Sequence, residues 1–305
     1  MLDRMAARRG VRLGLPGDTG RVPELPEVQA LAERMTAACA GRTLARVDVL
    51  SVQVLKTFDP PVQALLGRAV AEVGRYGKFL DLATAGGPHL VLHLARAGWV
   101  HPRESFPAKP PSRRGPLALR LVLDDGSGFD ITEQGTTKRL AAYVVADPQQ
   151  VPGIARLGVD ALAATPEQLA ELTRAARQRL KTFLTDQTAL AGIGNAYSDE
   201  VLHSAKLSPY AMAASLDEEQ LARLHAAIGQ VLHRALEHAR AAPPGGLKAE
   251  KKAGLAVHGR AGERCPVCGD TVRSVNFADS SLQYCPTCQT GGRVLADRRL
   301  SRLLK

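Results

Sequence analysis

Apolar and polar residues follow two different patterns along the chain. Between residues 44 and 145, short runs of strand length mix apolar and polar residues, and turn signals such as Gly86-Gly87-Pro88 separate them. The pattern favours an antiparallel sandwich over βαβ units. Strands are predicted at Ala45–Leu50, Lys78–Ala83, His89–Leu94, Leu117–Leu123 and Leu140–Val145.

Helical spacing is found on both sides of this strand-rich region. Before it, apolar residues recur at helical intervals from Pro26, which suits a first helical turn, to Gly41. Residues 147–166 are typical of a linker. After them, Thr165 with Gln168 and Ser215 with Glu218 predict two capping boxes, and the second precedes a long apolar helical face.

Composition restricts the class of protein. The 305 residues contain 40 Lys+Arg and 30 Asp+Glu, which gives a net charge of +10. An apolar fraction of 45% argues against a wholly disordered chain. No stretch approaches the roughly 18 apolar residues of a membrane span, so we expect no membrane partner. The basic excess favours a polyanionic partner, although a solvated basic surface without one is equally compatible with it.

Four late cysteines have the spacing of a zinc site. Cys265 and Cys268 form one C-x₂-C pair, and Cys285 and Cys288 form a second pair sixteen residues later. Four thiolates fill a tetrahedral ion completely, so one structural Zn²⁺ is expected and a catalytic one is not. The alternatives are disulfides or free thiols. Thiolate ligands also indicate a reducing compartment.

Several segments together resemble one protein family. They are PELPEVQ from Pro23, RYGKF from Arg75, LAGIGNAYSDE from Leu190, and the cysteine-rich segment from Gly262 to Cys288. Each is similar to a signature of the formamidopyrimidine-DNA glycosylase and endonuclease VIII (Fpg/Nei) family, and they occur in the family's order. The resemblance extends from Pro23 to about Gly292.

The resemblance implies a multi-domain α+β fold. We expect an N-terminal antiparallel β-sandwich with a flanking helix, a helical helix-two-turns-helix domain and a C-terminal four-cysteine zinc-finger hairpin. The corresponding ranges are 23–150, 151–256 and 257–292, followed by a basic tail at 293–305. Residues 1–22 are expected to be a non-native or disordered extension.

The same resemblance assigns the chemistry to Pro23 and Glu24. A free N-terminal proline is a secondary amine that titrates near pH 8, so it can attack a sugar C1′ and form an iminium. Inside a chain, Pro23 is a tertiary amide and cannot do so. Val22 stands where the family has its initiator Met, and a GTG codon encodes Val and also starts translation in bacteria. Our hypothesis is that Val22 marks the start.

Other site residues follow from the matching motifs. Glu24 is expected to handle protons, and Lys78 to hold a phosphate near a flipped nucleotide. Asn195 is expected to contact the DNA backbone, and Glu27 to act as an acid or to shape the site. Taken without the resemblance, Pro23 shapes a helix entry, Lys78 is an exposed strand-edge lysine and Asn195 caps a helix.

Two loops and the finger depart from the family pattern. Arg96 stands where members carry Met, and Arg139 and Leu140 are expected to replace the orphan-base-reading Arg and the wedge Phe. Ser280 occupies the position of the phosphate-gripping finger Arg. Candidates to replace that Arg are Arg273 and three lysines in the loop before the finger: Lys248, Lys251 and Lys252.

We therefore expect a monomeric bifunctional DNA glycosylase and AP lyase of base excision repair, acting in the bacterial cytoplasm at the nucleoid. Its expected partner is double-stranded DNA with damaged bases or abasic sites. One alternative is a non-catalytic or weakly catalytic binder of damaged DNA on the same scaffold. Another is a zinc-ribbon protein associated with RNA or transcription, which explains the finger but not the PELPE segment.

Overall fold

The computed structural model describes residues 22–109, 111–112, 115–134, 137–243, 246–277 and 280–296, without the side chains of residues 248–250 and 252. Residues 1–21 lie outside this range, as do residues 297–305 of the basic tail. The expectations about an N-terminal extension and a start at Val22 therefore stay predictions, as do the domain limits.

The N-terminal part is an antiparallel sandwich, as predicted. Helix α1 (Leu25–Cys39) precedes two four-stranded sheets with the strand orders β2-β3-β4-β8 and β1-β6-β7-β5. Apolar side chains from both sheets and α1 share one core. The strands are β1 Leu44–Val49, β2 Val70–Tyr76, β3 Phe79–Thr84, β4 His89–His93, β5 Gly98–Arg103, β6 Leu117–Leu123, β7 Gly128–Glu133 and β8 Ala141–Val145.

Three of these strands, β2, β5 and β7, do not follow from the sequence pattern. Strand β7 contains Asp130 and Glu133, which are both buried. Asp130 accepts two hydrogen bonds from the guanidinium of Arg120 on β6, at 2.7 and 3.1 Å. Because a buried ion pair places charged residues inside the sheet, an apolar periodicity misses the strand.

Helices dominate the second part. They are α2 (Pro166–Ala175), α3 (Leu180–Thr185), α4 (Asn195–Ser204), α5 (Glu218–Ala241) and α6 (Leu247–Gly254), with a short parallel pair of strands, β9 (Val159–Asp160) and β10 (Leu190–Ala191). The capping box of Thr165 and Gln168 is confirmed.

Two predictions about this part are wrong. The cap of α5 is Asp217 with Gln220, because the hydroxyl of Ser215 is used in a preceding 3-10 turn, where it donates to the carbonyl of Met212. The segment before the finger is helix α6 and not a loop.

The C-terminal hairpin consists of β11 (Arg273–Asn276) and β12 (Ser281–Tyr284), followed by α7 (Pro286–Thr290). The predicted hairpin is confirmed. Among the described residues, none of the helices combines the length and apolarity needed to cross a membrane.

Arg34 fixes α1 against the C-terminal end of α5. Its guanidinium donates to the carbonyls of Ala239, Arg240 and Ala242, at 2.7, 3.0 and 2.5 Å. The last carbonyls of a helix have no partner within the helix, so this side chain acts as a C-terminal cap supplied from a distant segment. The contact sets the position of α1, and therefore of the residues just before it.

We expect Arg34→Met to lower the free energy of unfolding by about 1–3 kcal/mol, because it removes charged donors from these carbonyls. Urea unfolding followed by circular dichroism measures the loss. Arg223→Met is the matched control, since Arg223 lies on the exposed face of the same α5 and pairs with Glu219. It should cost about 0.5 kcal/mol or less. Equal losses for both variants would contradict the capping role.

Candidate active site and nucleic-acid interface

Glu24 connects α1 to the start of α4. It is the N-cap residue of α1 and is 1% exposed. Its carboxylate accepts hydrogen bonds from the backbone N–H groups of Gly194, Ala196 and Tyr197, at 2.6, 3.0 and 3.3 Å. The first N–H groups of a helix are unpaired and carry partial positive charge, so they stabilise an anion there. A Cβ at residue 194 would lie 2.5 Å from the Glu24 carboxyl carbon, so this approach requires glycine.

The environment of Glu24 keeps it ionised. Burial alone raises the pKa of this carboxyl, but Lys251, Lys78 and the N–H of Ala196 lower it further than burial raises it. The pKa of Glu24 therefore lies below its ordinary value. At neutral pH the side chain is a buried carboxylate, able to accept a proton.

Glu27 lies one turn into α1 and belongs to the same cluster. One carboxylate oxygen accepts from the backbone N–H of Glu24 at 2.9 Å and from the Lys251 ammonium at 3.0 Å. The other accepts from the hydroxyl of Tyr197. Burial, together with the neighbouring carboxylates, raises the pKa of Tyr197 well above its ordinary value, so the phenol stays protonated as a donor.

Lys78 enters the cluster from the turn between β2 and β3. The preceding Gly77 has a left-handed φ of +54°, a conformation that favours glycine in a two-residue turn. Burial lowers the pKa of Lys78, Lys251 lowers it further, and Glu24 and Glu27 oppose the shift. The pKa of Lys78 therefore lies below its ordinary value, beside two carboxylates.

Pro23 lies immediately before this cluster. It is buried, and the carbonyl of Val22 accepts a hydrogen bond of 2.8 Å from the Lys251 ammonium. The structure thus brings Pro23, Glu24, Glu27 and Lys78 together. It also adds Tyr197, which the sequence analysis did not single out, and Lys251, which the sequence analysis proposed for a phosphate contact and not for this cluster. Tyr197 was visible within the motif at residues 190–200, whereas a lysine in a polar segment carries no signal of burial.

Asn195, the first residue of α4, faces the finger hairpin. Its side-chain amide donates to the carbonyl of Ser281 at 2.9 Å. A groove lies beside it, between α3, α4 and the hairpin, with Ser280 among its lining residues. The exposed guanidinium of Arg179 lies in this groove, 4.1 Å from the centre of the Tyr210 ring. The groove therefore combines an amide donor with a positive charge, both suited to a phosphodiester.

Arg96 and Arg139 lie in two loops of the sandwich. Arg96 is exposed in the turn between β4 and β5, and Arg139 is exposed before β8. The backbone N–H groups of Arg139 and Leu140 both donate to the carboxylate of Glu133. Leu140 is 2% exposed and packs in the sandwich core, so the expectation that it acts as a wedge is wrong.

The finger forms a structural zinc site. Four sulfur atoms lie within 4.8 Å of one another, those of Cys265, Cys268, Cys285 and Cys288. The pairs Cys265–Cys288 and Cys268–Cys285 have sulfur–sulfur distances of 3.8 and 3.3 Å. A tetrahedral zinc with bonds near 2.3 Å requires about 3.8 Å, so the four thiolates fit the ion.

Helix α4 also holds the finger in place. The carboxylate of Glu200 accepts from the backbone N–H groups of Ala256, Val257 and His258, at 2.8, 2.9 and 2.8 Å. Asp199 accepts from the ring of His258 at 2.6 Å and from the N–H of Gln283 on β12 at 3.1 Å. Two adjacent acidic residues therefore connect α4, whose N-terminus binds the Glu24 carboxylate, to the zinc-binding segment.

We expect the purified protein to contain one zinc per chain, and Cys268→Ala to lose it, because three thiolates bind the ion far more weakly. Elemental analysis after dialysis measures the content. Cys39→Ala is the matched control, since Cys39 is buried in α1, away from the cluster, and donates to the carbonyl of Met35. A Cys268→Ala protein that keeps a full equivalent of zinc would contradict the assignment.

Comparison with known proteins gives three consecutive family matches. Residues 22–140 match the formamidopyrimidine-DNA glycosylase N-terminal domain. Residues 157–242 match the formamidopyrimidine-DNA glycosylase H2TH domain, and residues 262–291 match a zinc finger found in FPG and IleRS.

Relatives extend over most of the chain. The formamidopyrimidine-DNA glycosylase of Symbiobacterium thermophilum is 33% identical over 91% of this chain and 93% of its own length. An uncharacterized formamidopyrimidine-DNA glycosylase-like protein of Mycobacterium tuberculosis is 57% identical over 49% of this chain and 94% of its own. The crystal structure of the MutM (Fpg) protein from Thermus thermophilus has 32% identity and a TM-score of 0.74, covering 88% and 98% of the two chains. The chain belongs to the Fpg/Nei family of DNA glycosylases.

Proposed function

We propose that this protein is a bifunctional DNA glycosylase and AP lyase of base excision repair, with Pro23 as its nucleophile. The observation that carries the proposal is the cluster of two buried carboxylates, Glu24 and Glu27, with the half-buried Lys78 beside Pro23. The relatives' names support glycosylase activity. A Lactococcus lactis Fpg of the same fold, at 23% identity and a TM-score of 0.77, has been solved with DNA that contains an abasic site.

The reaction requires Pro23 to begin the chain. The nitrogen is then a secondary amine whose neutral form attacks C1′ of the damaged nucleotide. The C1′–base bond breaks, and the base leaves with the bonding electrons and takes a proton from water. The nitrogen's own proton passes to the Glu24 carboxylate. Protonated Glu24 then donates it to O4′ as the C1′–O4′ bond opens, which leaves an iminium between Pro23 and C1′.

Strand cleavage follows from the iminium. The positive charge acidifies the C2′ hydrogens, so a base removes one of them and the 3′ phosphate leaves by elimination. We propose Lys78 as this base, because burial lowers the pKa of its ammonium and so favours loss of its proton. In its charged form the same side chain binds the neighbouring phosphate. Water hydrolyses the iminium and returns the free Pro23 amine.

The backbone of the damaged strand is proposed to lie in the groove between α4 and the hairpin. Asn195 and Arg179 supply its donors, and Arg179 takes over the charge that is absent at Ser280. Arg96 and Arg139, on exposed loops of the sandwich, are proposed to contact the nucleotides around the flipped one. The protein is proposed to act as a monomer on nucleoid DNA in the bacterial cytoplasm.

The second candidate function is a non-catalytic binder of damaged DNA. It is favoured by the Val22 carbonyl, which occupies the cluster and makes the Pro23 nitrogen an amide. It is also favoured by Ser280 at the family's phosphate-gripping position.

Borohydride trapping on abasic-site DNA separates the two functions. Protein that begins at Pro23 should form a covalent adduct, whereas the 305-residue chain should form none through Pro23, because its nitrogen is an amide. A chain that begins at Val22 is the matched control, since its amine is displaced by one residue, about 3.8 Å, and should trap at least ten-fold more slowly. Absence of an adduct from the Pro23-start protein, with DNA binding intact, would favour the binder.

Arg179→Gln should weaken binding to duplex DNA with a stable abasic-site analogue about ten-fold and reduce the salt slope by about one. Fluorescence anisotropy at several salt concentrations measures both. Arg174→Gln, an exposed arginine on α2, should change neither. Ser280→Arg in the Arg179→Gln background should restore affinity, because it returns a positive charge to the same groove. Unchanged affinity and slope in Arg179→Gln would rule out this phosphate site.

A further inference from the structure

Lys251 is a fully buried lysine at the centre of the proposed active site. It lies on α6, and its side chain is 0% exposed. Its ammonium lies 3.0 Å from a Glu27 oxygen, 3.6 Å from a Glu24 oxygen and 2.8 Å from the Val22 carbonyl. It also lies 4.5 Å from the centre of the Tyr197 ring. This burial removes it from the candidates for gripping a DNA phosphate.

Lys251 balances the charge of the two carboxylates. Two buried anions repel each other, and burial without partners would protonate one of them. Lys251 provides a positive charge in contact with Glu24 and Glu27, and Lys78 adds a second positive charge when it is protonated. Since Lys251 contacts both carboxylates, it fixes their relative position as well as their charge.

The same ammonium lies next to the Pro23 nitrogen. The oxygen and nitrogen of one peptide unit are about 2.3 Å apart, so a hydrogen bond of 2.8 Å to the Val22 carbonyl places the ammonium within about 5 Å of that nitrogen. When the chain begins at Pro23, the carbonyl is absent and the ammonium faces the free amine. A second positive charge at this distance disfavours protonation of the amine.

Other charged groups face the cluster from each packed element. The carboxylates of α1 oppose the effect of Lys251 on the amine, and Lys78 adds to it. Glu200 on α4 accepts from the backbone of residues 256–258, lines the same cavity as Glu27 and Lys251, and contributes to the raised pKa of Tyr197. Among the side chains that the structure describes, the remaining titratable groups that contribute to the cluster or line the adjoining cavity are Tyr197 on α4, Arg234 and His238 on α5, and His258 before the finger.

The geometry points to Lys251 as a positioning residue that orders Glu24 and Glu27 and keeps the Pro23 amine uncharged at neutral pH. This inference rests on the proposed function, because it concerns the proposed nucleophile. Lys251 touches the two carboxylates and not the sugar, so its effect passes through Pro23 and Glu24. Its contribution is an electrostatic one, which arginine preserves and methionine removes.

Two readouts on the Pro23-start protein test the inference. The first is the pH dependence of single-turnover borohydride trapping on DNA with a preformed abasic site. Lys251→Met should move the acid limb about one pH unit higher, with roughly ten-fold slower trapping at about pH 6.5 and recovery near pH 9. Lys251→Arg should keep the parent profile. Lys56→Met, which removes an exposed lysine elsewhere, should also keep it.

The second readout needs no DNA. Reductive methylation of the Pro23 nitrogen by formaldehyde and cyanoborohydride, followed by mass spectrometry of the N-terminal peptide, reports the uncharged amine directly. The pH midpoint of methylation should rise by about one unit in Lys251→Met and should be unchanged in Lys251→Arg. A shifted midpoint in protein that traps no DNA would support the role of Lys251 and refute the enzyme. An unshifted midpoint in Lys251→Met would overturn the role of Lys251, whatever the trapping result.

Discussion

The carboxylate of Glu24 at the N-terminus of α4 is the contact on which the candidate site depends. Burying a charge is costly, and here three backbone N–H groups and the Lys251 ammonium offset the cost. Glu24 is also the N-cap residue of α1, so one residue lies at the start of both helices. The residue proposed to transfer protons is therefore also the connection between the sandwich and the helical part.

Helix α4 connects the Glu24 contact to the finger. Its first turn binds Glu24, and its buried face carries Asp199 and Glu200, which hold the backbone that leads into the cysteine cluster. Asn195 at its start reaches the hairpin directly. The cysteine cluster, the hairpin, the proposed DNA groove and the proposed catalytic cluster are thus arranged around a single ten-residue helix. A structural metal can in this way support a site that it does not touch.

The sequence predicts the parts of the molecule that depend on local chemistry. Capping by Thr165 and Gln168, the cysteine spacing and the sandwich follow from short-range patterns, and the motifs name Pro23 and Glu24. It does not predict contacts that bring charged residues into the interior. Strand β7 was not predicted, because the charged Asp130 interrupts its apolar pattern and the ion pair with Arg120 that allows its burial exists only after folding. Lys251 was a candidate to grip a DNA phosphate from a loop, but it is buried on a helix, and its two carboxylate partners lie more than two hundred residues away in the chain.

The position of the covalent bond between protein and DNA shows whether Pro23 is the nucleophile. After borohydride reduction of the Pro23-start protein on abasic-site DNA, proteolysis and tandem mass spectrometry locate the residue that carries the sugar remnant. We expect the remnant on the nitrogen of Pro23 alone. A remnant on the side chain of Lys78 or Lys251 would contradict it, because the ammonium groups of the cluster would then supply the nucleophile themselves.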